Sequence, residues 1–95
     1  MLINKGFSSG DVLSIKLISG EEMIARYENE DTDTIIISRP LSITVTGQGL
    51  GMIPWMFLGA KDEVTLQKSH VMATMASKKD AADQYMQGTT GIALV

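Results

Sequence analysis

The chain has no cysteine. That excludes a disulfide framework, thiolate metal sites and a thiol nucleophile, and it fits a reducing compartment. There is one histidine, His70, so no histidine cluster can hold a metal. No serine or aspartate stands at a spacing that marks it as a catalytic partner of His70, and a turn or surface role is expected for it instead of an enzymatic one. Basic residues are also scarce: eight Lys and Arg against eleven Asp and Glu leave a net charge of −3. A protein that gathers nucleic acid through a general positive field is excluded, so any such contact must come from a local arrangement. No apolar run approaches the ~18 residues of a membrane-spanning helix. The opening Met1–Gly10 carries one lysine and no long apolar core, so it does not read as a signal peptide. These absences lead to the expectation of a soluble, cytoplasmic, non-enzymatic protein without cofactor or metal.

What is present is 44% hydrophobic and 20% charged over 95 residues, the balance of one folded domain. A core this small is modest, and association with further copies is a natural way to bury more.

The organisation is read from alternation. Leu13, Ile15 and Leu17 alternate with Ser14 and Lys16, the period of a half-buried strand. Ser19-Gly20 supplies a tight turn, and Met23, Ala25 and Tyr27 form one face of the return strand. Glu28 to Asp33 reads as an acidic loop, and Thr34 to Ser38 as a β-branched third strand. Arg39-Pro40 marks an edge or a bulge, because proline donates nothing to a ladder. Leu41, Ile43 and Val45 then resume as a bent continuation. Gly47 to Gly51 reads as a flexible loop, and Ile53 to Leu58, with Pro54 and the single Trp55, as an apolar strand. Val64 and Leu66, then Val71, Met72 and Met75, suggest two short strands around Lys68-Ser69-His70. Ser77 is expected to cap a helix to about Gln87, with Gly88 as its stop. The apolar tail Gly91–Val95 is expected to add to an edge. Residues 1–10 thus form an extension, 11–76 a β domain and 77–95 a helix and tail. Many short strands separated by turns indicate a small, strongly bent sheet or barrel.

Two look-alike motifs fail on inspection. Asn29, Asp31 and Asp33 have the first spacings of a calcium loop, but Thr34 stands where glycine belongs and Pro40 where the bidentate glutamate belongs. Gly47-Gln48-Gly49-Leu50-Gly51 lacks the later glycine and the acidic partner of a dinucleotide fingerprint, and no Gly-Lys-Ser/Thr follows. Trp55 with Met52, Met56 and Phe57 reads as core or subunit interface, and Tyr27 as core before base-stacking residue.

The stretch Leu13–Gly20, then Met23 to Tyr27, then Asp31 to Ile37 resembles the first motif of the Sm-like (Hfq-like) family. Asp31 or Asp33 takes the place of the family's loop aspartate, and Thr34 or Ile35 falls where asparagine is usual. Val64 to Met72 resembles the second motif, with Gln67-Lys68-Ser69 where an Arg-Gly or Lys-His pair is usual. The likeness is greatest to short Sm-like proteins of marine tailed phages and extends to the tail YMQGTTGIALV. The resemblance implies a mainly β, five-stranded, strongly bent Sm-like (SH3-like) barrel with a short helix. It also implies subunits joined edge to edge in a cyclic homo-oligomer of about five to eight copies. It implies binding of single-stranded RNA, or single-stranded DNA, in RNA processing, turnover or annealing. The site would comprise Asn29, Asp31, Asp33, Thr34, Gln67, Lys68, Ser69 and His70: Lys68 and His70 on phosphate, Asn29, Thr34 and Gln67 on base edges. Against that stands a solvated loop beside a structural turn, in a ring that binds protein and no nucleic acid.

Overall fold

The structure is a computed structural model and describes residues 6–89. The expectation for Gly91–Val95, and that for the first half of the N-terminal extension, lie outside those residues. The elements are β1 (Val12–Leu17), β2 (Glu22–Glu30), β3 (Thr34–Thr46), β4 (Gly49–Pro54), β5 (Glu63–Gln67), a 3-10 turn (Lys68–His70), β6 (Val71–Ala76) and α1 (Lys79–Thr89).

All pairings are antiparallel, in the order β4-β3-β2-β1-β6. Strand β5 pairs the first half of β3, Thr34–Ser38, and β4 pairs the second half, Leu41–Thr46. Two short strands therefore follow one another along the same flank of one long strand. The sheet has six strands instead of the expected five, and it is not closed into a barrel, since no ladder joins β5 to β6 among the described residues. The physical reason lies at Arg39-Pro40. Pro40 cannot donate to a ladder, Arg39 sits in the left-handed region at φ 48°, and the β2–β3 register shifts between Ile24 and Arg26. Both ladders on the far flank end there, so the chain leaves the sheet after Pro54 and re-enters at Glu63.

Alternation built the core as read. Leu13, Ile15, Leu17, Met23, Ala25, Tyr27, Ile35, Ile37 and Leu66 form one buried cluster, with Phe7, Trp55, Val64 and Val71 packed against it. Burying a side chain such as Leu13 or Ile15 contributes roughly 2–3 kcal/mol. Ile24 has the opposite parity and lies outside that cluster, as does Tyr85 of α1; both are buried. At the first hairpin Leu17 C=O accepts from Gly20 N–H at 2.8 Å, and Gly20 adopts φ 95°, which glycine tolerates at no steric cost.

Four expected boundaries moved. Strand β2 runs on through Glu30, leaving only Asp31–Asp33 as the turn. Gly47-Gln48 is a two-residue turn, and Gly49 to Gly51 belong to β4. Met56, Phe57 and Leu58 lie in a loop, 52%, 73% and 98% exposed, instead of forming an apolar strand. Ser77 does not open the helix: its N–H still donates to Val12 C=O, and its hydroxyl shares a hydrogen bond with Ser14 at 2.8 Å. The helix begins two residues later and contains Gly88. Its exposed face carries the i,i+4 pair Lys79–Asp83 at 2.8 Å.

Candidate nucleic-acid interface

The β2–β3 turn and the 3-10 turn meet at one end of the sheet because β3 and β5 pair Thr34 opposite Gln67. Lys68 N–H donates to Asp33 C=O at 2.8 Å. The Lys68 ammonium reaches across to Glu30 Oε2 at 2.7 Å. The far side of the 3-10 turn is tied to the first hairpin, where Ile18 N–H donates to His70 C=O at 2.9 Å. Three turns are thus held together by backbone bonds.

The Asp31 carboxylate organises its own turn. Its Oδ1 accepts from Asp33 N–H at 3.0 Å, Thr34 N–H at 2.8 Å and Thr34 Oγ1 at 2.9 Å. Those bonds, the backbone one from Thr34 first, hold its pKa below the usual carboxylate value. Glu30 is held low chiefly by its bond to Lys68, with Tyr27 as a further donor. The Tyr27 hydroxyl donates to Glu30 Oε1 at 3.0 Å; its own pKa is raised, first by burial and then by that carboxylate. The Tyr27 ring is buried and packs on Phe7 with centroids 5.7 Å apart, which makes it core and not a platform for a base.

The eight sequence-derived site residues therefore sort by what their atoms already do. Asp31, Thr34 and the backbone of Asp33 build the turn. Lys68 is shared between the turn and Glu30. Asn29 accepts from Glu30 N–H through Oδ1 at 2.9 Å and is exposed. Gln67, Ser69 and His70 are exposed beside it on the adjoining turn. Below them Phe7, Glu30, Ile35, Lys68, Val71 and Thr74 line a cleft of about 240 Å³ between the ends of β3 and β6. Donors and acceptors grouped on a rim of fixed backbone can hydrogen-bond a flexible polar ligand; one ammonium, already paired, supplies little net charge.

Sequence reasoning missed a second constellation at the β3 break. The buried Tyr85 hydroxyl donates to Ser38 C=O and Arg39 C=O, each at 3.0 Å. Arg39 N–H donates to Asp62 C=O at 2.9 Å, its Nε pairs with Asp62 Oδ2 at 3.3 Å, and its guanidinium also donates to Thr89 C=O at the helix end. Ser38 Oγ donates to Glu28 Oε2 at 2.6 Å. The available signal was the Arg39-Pro40 interruption itself, which demanded some partner for the freed backbone.

No protein-family model matches this chain, and no curated protein does.

Proposed function

We propose that the protein is a ring-forming, Sm-like, non-catalytic binding protein that takes single-stranded RNA at the rim formed by the two turns. The observation that carries this reading is that the Thr34–Gln67 pairing, with the bonds from Lys68 to Asp33 and Glu30, brings the β2–β3 turn against the Lys68–His70 turn. Unstacked bases present hydrogen-bonding edges and a flexible backbone, which suit such a rim. Assembly is supported by the open edges. Among the described residues no strand pairs the outer flank of β6, where Met72 and Met75 are each 64% exposed, or that of β4, where Leu50 and Ile53 are 43% and 48% exposed. A head-to-tail arrangement covers both flanks at once and closes into a ring if the rotation per subunit allows. Repetition around a ring would set several rims side by side, so that weak individual contacts add.

A second reading, a ring that binds protein and no nucleic acid, draws on a specific observation. The Lys68 ammonium at the rim is paired with Glu30, and the chain carries a net −3. A native mass spectrum with and without short oligo-U RNA separates the two. A closed oligomer that gains one RNA mass per ring, with affinity falling as salt rises, supports the first. A closed oligomer indifferent to RNA and to single-stranded DNA leaves the second. A monomer at every concentration refutes both.

A further inference from the structure

Met56, Phe57 and Leu58 stand 52%, 73% and 98% exposed in the loop that joins β4 to β5. The base of that loop is fixed. Trp55 N–H donates to Pro40 C=O and Arg39 N–H to Asp62 C=O, each at 2.9 Å, so both ends are tied to adjacent residues of β3. Trp55 itself packs against the buried cluster. Three successive apolar side chains therefore project into water from a pinned stem. Two strands away in the sheet order, a groove of about 360 Å³ lies over β1 and β6. Ser14 pairs with Met75 and Lys16 with Ala73, at the parity opposite to the buried Leu13, Ile15 and Leu17, so these side chains point away from the core. Met72 and Ile15 complete the apolar lining, and Thr74 adds a hydroxyl. The polar groups here are largely spent: Lys16 pairs with Glu22 at 3.7 Å, and Ser14 Oγ with Ser77 Oγ at 2.8 Å. Met72 and Met75 are each 64% exposed, so the groove is open.

We propose that the Met56–Leu58 loop of one copy seats in the β1–β6 groove of the next copy, head to tail. This rests on the assembly half of the reading above and is independent of RNA. Leu58 at 98% exposure shows that the loop does not fill the groove of its own chain. At the ~200 Å² typical of a large side chain, the exposures of Met56, Phe57, Leu58, Met72 and Met75 amount to roughly 700 Å² of surface. A stable interface needs about 1,000 Å² in total, so this one contact supplies most of it and the adjoining β4 and β6 edges the remainder. Knob and groove are different surfaces of one chain, which makes the contact heterologous and lets it repeat from copy to copy. An anionic lipid surface is the poorer occupant of the loop, because Asp62 and Glu63 follow it directly and the chain carries a net −3.

Leu58→Asp and Met75→Asp each place a charge on one half of the contact, at side chains whose exposure leaves the fold intact by circular dichroism. Each variant alone is expected to associate at least about tenfold more weakly than the wild type in native mass spectra. An equimolar mixture, one variant isotope-labelled, is expected to give a dimer with one copy of each, since one variant keeps its groove and the other its loop. A variant that keeps the wild-type oligomer overturns the loop contact and leaves the ring standing. A mixture that stays monomeric overturns the head-to-tail geometry. A wild type that is monomeric at every concentration overturns the proposal together with the assembly it rests on. Wild-type protein that stays monomeric yet sediments with phosphatidylcholine vesicles, and loses this with Leu58→Asp, assigns the loop to lipid and also overturns it. The absence of cysteine permits a second measurement with milder changes. With Leu58→Cys and Met75→Cys in one chain, oxidised glutathione takes two thiols to one disulfide and is itself reduced. A ladder of linked multimers is expected from the double variant and not from either single one. A disulfide at monomer mass, or no ladder, overturns the proposal.

Discussion

Replacing Tyr85 with Phe removes one oxygen from a side chain that is 1% exposed and leaves the ring packing intact. That oxygen donates to Ser38 C=O and Arg39 C=O at the point where the sheet's backbone is interrupted. Losing a buried hydroxyl that serves two carbonyls costs ~1–2 kcal/mol. For a domain of this size the melting temperature falls by roughly 5–15 °C. The pH dependence makes the test specific. Burial pushes the Tyr85 phenol up to about 12 from its ordinary 10.0. The folded state thus favours the neutral phenol, and that contribution is whole below pH 10 and lost as pH climbs through 12. About 1.4 kcal/mol of it is gone at pH 11. Phenylalanine does not titrate, so the stability difference between the wild type and Tyr85→Phe should shrink above pH 10 and approach zero near pH 11. Tyr27 also titrates, but it is present in both proteins and cancels. Urea unfolding of each protein at pH 7, 9, 10, 11 and 11.5 reads the difference directly. Equal stability at pH 7, or a difference that stays flat into alkali, refutes the clamp.

Other substitutions probe the two turns and the core. Glu30→Gln breaks the pair with Lys68, whose partners are each 36% exposed, and should cost under ~1 kcal/mol at neutral pH. Because Lys68 lowers the Glu30 pKa, the pair's contribution is present above the ordinary 4.5 and lost as pH falls through the lower folded value; the variant should lack that share of the acid loss in denaturant titrations between pH 7 and 3. Asp31→Ala removes the acceptor of three turn bonds and should cost ~1–2 kcal/mol by thermal unfolding. Gly20→Ala meets open space but keeps φ 95°, so it should lose ~1 kcal/mol through backbone strain alone; no change would mean that the hairpin relaxes freely. Ile15→Ala, at a fully buried core position, should lose ~2–5 kcal/mol, enough to unfold a marginal domain in calorimetry.

The first hairpin was legible because two signals agreed there, alternation and a glycine turn, and each is local. The meeting of the Asp31 turn with Lys68 was legible only through the resemblance, since no local rule pairs residues 34 and 67. The β3 break was half legible. Pro40 announced an interruption, but composition says nothing of which side chain will serve the freed carbonyls, and Tyr85 is 46 residues away from Arg39. The loop from Trp55 to Asp62 misled because an apolar run looks the same whether it is a buried strand or an exposed loop. Helix α1 was misplaced at its start for a related reason. Ser77 is a good cap by type, yet its hydroxyl, the group that would accept from the first turn's N–H groups, is engaged with the Ser14 hydroxyl of β1 at 2.8 Å.

The two sites have different physical characters, and that bears on what each can do. At the rim, backbone bonds fix three turns while Gln67, Ser69 and His70 stay exposed on a set frame; Asn29, also exposed, already spends its Oδ1 on Glu30 N–H. At the β3 break the polar groups are spent on one another: Tyr85 on two carbonyls, Arg39 on Asp62 and Thr89, Ser38 on Glu28. Spent groups hold structure, and available groups on a rigid frame can hold a ligand without first giving up an internal bond. Lys68 belongs partly to each kind, since using it on a phosphate means releasing Glu30. That exchange is nearly neutral in water, because an exposed ion pair is worth at most about 1 kcal/mol. Glu30→Gln frees the ammonium and removes a repelling carboxylate together. If RNA is the ligand, this variant should bind it more tightly than the wild type at low salt, and the gain should vanish as salt is raised. A protein-binding ring would show no such gain for RNA, and RNA affinity unchanged by Glu30→Gln at low salt would count against Lys68 as a phosphate contact.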